Sequence, residues 1–123
     1  MPRFALLRHD SPRGLHWDLL LETGSLLRTW ELPGVLKPNC EMFCRALPDH
    51  RPVYLDYEGP VSGGRGTVVR QESGTFRLLS ATADELIVEL QGQSVSGRLT
   101  LQLVDQSSGK WRLHLEGAQE ARE

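Results

Sequence analysis

Lysine is almost missing from this chain: two residues, Lys37 and Lys110, stand against twelve arginines. A net charge of −2 excludes a protein that attracts nucleic acid by its overall field. Any such partner needs a local patch, and guanidinium suits one because it grips phosphate bidentately. The bland alternative is a genomic preference for arginine. Cysteine is equally scarce. Cys40 and Cys44 are too few for a disulfide framework and for the four ligands of a structural zinc site, so both are read as ordinary thiols. No apolar run is long enough to cross a bilayer as a helix, and the opening Met1-Pro2-Arg3-Phe4 does not start a secretory signal. The expectation is a cytoplasmic, monomeric protein with no membrane association. Its 123 residues suffice for one domain with a single core.

What is present is mostly strand. Phe4–His9, Leu15–Glu22, Ser25–Leu32, Met42–Leu47 and Val53–Tyr57 form the first set. Gly66–Glu72, Thr75–Ser80, Leu86–Gln91, Gly97–Val104 and Lys110–Glu116 follow. Ser11-Pro12-Arg13-Gly14, Thr23-Gly24, Ser73-Gly74, Gln91-Gly92-Gln93 and Ser107-Ser108-Gly109 read as turns. Short strands with turns about every ten residues predict a compact antiparallel β-barrel of about eight strands with little helix. Single helical turns are expected at Glu41–Arg45 and Thr82–Glu85, and a frayed tail over 119–123.

Chemistry concentrates in RHDSPRGLHWDLLLE, Arg8 to Glu22. Alternate residues of a strand share a face. Leu15, Trp17, Leu19 and Leu21 form an apolar stripe, which leaves His16, Asp18, Leu20 and Glu22 on the other side. A hairpin through the intervening turn returns His9 beside His16. Two imidazoles and a carboxylate suit a divalent transition metal with open coordination positions. The plainer reading is that Asp18 merely orients a surface histidine. Glu22 is read as solvated, His114 as a partly buried strand histidine, and Trp17, Trp30 and Trp111 as core.

These residues resemble the 3′-phosphoesterase domain of bacterial DNA ligase D. That family opens with K-H-D-x-x-x-L-H-Y-D-F-R-L-E, to which Arg8-His9-Asp10 and Leu15-His16-Trp17-Asp18-Leu19-Leu20-Leu21-Glu22 are similar, with one extra residue in the turn. Leu27-Arg28-Thr29-Trp30-Glu31-Leu32-Pro33 looks like its L-x-S-W-x-x-P. Pro48 to Gly59 is similar to E-D-H-P-L-x-Y-x-x-F-E-G, and Gly109-Lys110-Trp111-Arg112-Leu113 to a closing G-x-W-x-L. The resemblance implies a manganese-dependent enzyme that trims a 3′-ribonucleotide to a 3′-phosphate and then removes the phosphate, healing DNA 3′ ends for a ligase or polymerase partner. It implies His9, His16 and Asp18 as metal ligands, His50 on the scissile phosphate and Tyr54 beside it.

The chain departs from the family close to that chemistry. Leu20 stands where the family has an arginine, Leu7 where it has a glutamine, and Pro48 where it has a glutamate. A Gly-Tyr-Gly loop is cut down to Ser62-Gly63-Gly64-Arg65-Gly66. Arg13, Arg51 and Arg65 are the candidates to contact nucleic acid and replace the lost charge, with Arg65 the preferred substitute at the reacting phosphate. The loop also reads as a simple flexible turn. Leu7 and Leu20 favour an alternative: a relative that binds metal and nucleic-acid ends, or a repair partner, without turnover. His-x-Asp with a distant histidine also resembles the facial triad of non-haem iron oxygenases, for which the chain is short.

Overall fold

In the computed structural model, which describes residues 1–117, nine antiparallel strands make up nearly all of the regular structure. They are β1 (Arg3–Ser11), β2 (Gly14–Thr23), β3 (Leu26–Leu32), β4 (Cys40–His50), β5 (Gly59–Pro60), β6 (Thr67–Ala81), β7 (Glu85–Gly92), β8 (Ser96–Asp105) and β9 (Lys110–Gly117). The sheet runs β1-β2-β3-β4-β9-β8-β7-β6, and a β1–β6 pairing closes these eight into a ring, with the two-residue β5 appended to β6. The expected barrel is therefore present. The tail expected over 119–123 lies outside the described residues. No helix among them is long and apolar enough to cross a membrane.

Four expected elements differ. Val53–Tyr57 is not a strand; Pro52–Leu55 forms a 3-10 turn, begun by a proline whose fixed φ suits a first helical position. Glu41–Arg45 is not helical but lies within the long β4, paired to β9, and Thr82–Glu85 is a tight turn. Ser73-Gly74 does not end a strand, because β6 continues through it. Up to Thr75 β6 pairs with β1, and from Gly74 onward with β7, so the two ladders overlap at the corner. Glycine is required there, since a Cβ on Gly74 would lie 2.0 Å from the Gln91 carbonyl oxygen.

Two apolar clusters occupy opposite faces of this sheet. Phe4, Leu6, Leu19, Leu21, Trp30, Leu32 and Trp111 belong to the large interior core, where the two indoles meet edge to face at 5.6 Å. Ala5, Leu7 and Leu20, the alternate positions of β1 and β2, point outward. With Leu27, Leu55 and Val68 they build a second, smaller cluster outside the ring. Leu55 reaches it from the 3-10 turn, so the connection after β4 is folded against the outer face of β1, β2 and β6. Leu15 does not join the expected core stripe and is 44% exposed. His114 is exposed on β9 rather than partly buried.

Cys40 and Cys44 are free thiols four residues apart on β4, about 13 Å along a strand, too far to share one ion. Burial pushes the Cys44 thiol up to about 12, which leaves it inert.

Candidate metal centre

The β1–β2 hairpin turns through Pro12 and Arg13, with Ser11 opposite Gly14; this register sets His9 directly across from His16. The two rings lie 4.5 Å apart. Asp18, two residues beyond His16, projects from the same outer face. Ligand atoms of His9, His16 and Asp18 all fall within 4.8 Å of one another. The Asp18 side chain is 5% exposed, so its charge is largely removed from water.

The bonding around this trio fits a cation. His9 Nε2 lies 2.7 Å from the Arg65 carbonyl oxygen. A carbonyl only accepts, so Nε2 carries the proton. In the neutral ring Nδ1 then turns a lone pair toward Asp18 Oδ2, 3.0 Å away. Two acceptors at that separation require a proton or a metal ion between them. Asp18 Oδ1 is buried with no hydrogen-bond partner among the described residues. His16 Nε2 is only 3.2 Å from it, yet the angle is not that of a hydrogen bond. Buried orphan oxygens are costly, and a divalent ion shared with the imidazoles satisfies this one.

The trio lies in the wall of a pocket of about 580 Å³ that collects every residue singled out in the sequence for chemistry: His9, His16, Asp18, His50, Tyr54, Arg13, Arg51 and Arg65. His50 ends β4, and its Nδ1 donates to the Pro48 carbonyl at 2.9 Å, leaving Nε2 for the pocket. Tyr54 stands on the 3-10 turn, edge-on to His50 at 5.7 Å. Three arginines and three carboxylates (Asp18, Glu31 and Asp49) line the space, so a bound divalent ion makes it net positive.

Arg65 is placed differently from the expectation that its guanidinium faces substrate. Nε donates to the Ser62 carbonyl at 2.7 Å and Nη2 to Ser62 Oγ at 3.1 Å. Its backbone carbonyl, on His9, is what reaches the centre. Leu7 and Leu20 are fully buried in the outer cluster, which forms an apolar floor. Glu22 accepts from the Arg3 backbone N–H at 2.8 Å instead of being merely solvated. Glu31 escaped the sequence reading. It faces Asp18 across β2–β3 and is paired with Arg45 at 3.0 Å. The signal was available, since a two-residue turn between Thr23 and Leu26 dictates that pairing.

Gly66 holds the loop in place. Its φ is +92°, and a Cβ there would lie 1.8 Å from the Asp10 carbonyl oxygen. Gly66→Ala is therefore expected to lift the loop from β1 and remove the Arg65 carbonyl from His9. Metal affinity should fall by about tenfold or more, as when other groups that orient ligand histidines are lost. Titration of the parent and variant with manganese checks this; equal affinity would mean that the carbonyl does not orient His9.

Residues 7–119 match the family model described as the DNA Ligase D 3'-phosphoesterase domain. The chain is 30% identical over 120 residues to the multifunctional non-homologous end joining protein LigD of Mycobacterium bovis, covering 90% of this chain and 15% of the relative. It is 29% identical over 106 residues to the LigD protein of Pseudomonas aeruginosa, covering 78% of this chain and 12% of that one. The chain thus spans about one seventh of the curated relatives it matches. With the family model matched along nearly all of its length, this chain belongs to the DNA ligase D 3′-phosphoesterase domain family.

Proposed function

We propose that this protein is a manganese-dependent phosphoesterase that heals the 3′ ends of DNA strands, removing a terminal 3′-phosphate or 3′-ribonucleotide. The observation that carries the reading is the orphaned Asp18 carboxylate oxygen between two facing histidines, in a pocket that also holds His50 and Tyr54. Family membership supports the substrate class. His9, His16 and Asp18 would hold the ion, which neutralises phosphoryl charge and activates the attacking water when bound.

The chain's own groups do the rest. His50, with Nδ1–H fixed on Pro48, presents Nε2 to the pocket. Protonated there, it donates to a phosphoryl oxygen or to the departing O3′. The Tyr54 hydroxyl is a second donor on the same wall. Arg13 and Arg51 at the rim meet the strand's phosphates. In the phosphatase step water adds to phosphorus, the P–O3′ bond breaks, and the proton goes to O3′. Inorganic phosphate leaves behind a 3′-hydroxyl that a polymerase or ligase partner can use.

A second reading, metal and end binding without turnover, is favoured by the Arg65 guanidinium lying on Ser62 and by the apolar Leu7 and Leu20 under the site. One experiment separates the two. A primer–template ending in a 3′-phosphate or a single 3′-ribonucleotide is incubated with protein and manganese, and the products are resolved on a gel. Conversion to a 3′-hydroxyl, lost in His16→Ala, is the expected result. Manganese binding without conversion would establish the second reading instead.

A further inference from the structure

A smaller hollow of about 250 Å³ adjoins the metal pocket, walled by Arg51, Val53, Tyr54, Tyr57, Pro60 and Ser62. Arg51 and Tyr54 line both spaces, so a group in one abuts a group in the other. We propose that this hollow receives the base of the strand's 3′-terminal nucleoside while the adjacent phosphate lies in the metal pocket. The proposal rests on the phosphoesterase reading and assigns it a subsite.

The walls have the chemistry of a stacking slot. Tyr54 and Tyr57 meet nearly perpendicularly, 5.7 Å between ring centres, and Tyr54 in turn meets His50. The histidine beside the reacting phosphate and the walls of the hollow are thus one packed aromatic array. Pro60 and the 54% exposed Val53 add apolar surface, and Arg51 brings a planar cation that stacks on bases and attracts phosphate. No carboxylate is among the lining residues.

Two of the hollow's polar side chains are already engaged. The Tyr57 hydroxyl donates to the Pro60 carbonyl, and Ser62 Oγ accepts from Arg65. With Arg51 and the Tyr54 hydroxyl directed at phosphate, recognition of the base is by ring faces and tolerates any base. That suits an enzyme that meets strand ends of arbitrary sequence. A space this small admits one ring system and no continuing strand, which selects the terminal nucleoside.

The test uses strands whose 3′-terminal riboside carries 2-aminopurine, mixed with protein in EDTA so that no turnover occurs. Quenching on binding is expected. Val53→Glu places a carboxylate in the hollow from an exposed position, so folding is not at stake, and it should weaken binding about tenfold. A strand with an abasic terminal riboside should bind the parent about as weakly, and Val53→Glu should add little further loss. Unquenched 2-aminopurine in the parent complex, or a variant that binds both strands like the parent, overturns the proposal. Absence of turnover in the gel assay with quenching intact would overturn the phosphoesterase reading alone.

Discussion

Saturating manganese is expected to raise the Tm of the parent protein, and asparagine in place of Asp18 to erase that rise. A ligand held only by the folded state stabilises it by about 2.7 kcal/mol at a hundredfold excess over Kd. For a domain of this size that is roughly 10 °C. The Asp18→Asn substitution would keep the shape of the side chain and the contacts of the surrounding strands. It would remove the charge from an oxygen that has no hydrogen-bond partner among the described residues and sits between two imidazoles. The variant should therefore melt cooperatively yet show the same Tm with and without manganese, and it should be inactive on 3′-phosphate ends. An unchanged metal-dependent shift in Asp18→Asn would place the ion elsewhere. No shift in the parent would remove the metal centre altogether.

Much of this site was legible because hairpins have arithmetic. The turn at Pro12-Arg13 puts His9 opposite His16, and strand alternation then puts Asp18 beside them. The same arithmetic across Gly24-Ser25 puts Glu31 opposite Asp18, a consequence the sequence reading did not draw. Which face is interior was harder to see. Leu19-Leu20-Leu21 is apolar on both sides, and such a run marks a strand buried twice without saying against what. The second burial comes from the 3-10 turn at Pro52–Leu55, whose short apolar stretch looks like a strand by composition. Contacts such as His9 with the Arg65 carbonyl span 56 residues, and no local periodicity encodes them.

That second burial bears on the departure from the family nearest the chemistry. Leu20→Arg restores the family's residue type, yet here it should destabilise the protein by about 3–5 kcal/mol rather than improve catalysis. Leu20 is fully buried among Ala5, Leu7, Leu27, Leu55 and Val68, beneath the pocket rather than in its lining. A guanidinium placed there loses its water and gains only apolar neighbours. Small domains are stable by about 5–15 kcal/mol, so such a loss is a large share of the total. Leu7 differs because its side chain borders the pocket. In Leu7→Gln the amide can turn toward that space, and the cost should be smaller, about 1–3 kcal/mol. Urea unfolding of the three proteins measures both effects, and titration with inorganic phosphate in manganese reads the site itself. If Leu20→Arg kept the parent's midpoint and bound phosphate more tightly, the floor would be open to charge, and the leucine would be a lost phosphate contact. With the loss of stability expected here, Leu7 and Leu20 are instead the packing that docks the 3-10 turn, and with it Tyr54, against the hairpin that carries His9, His16 and Asp18.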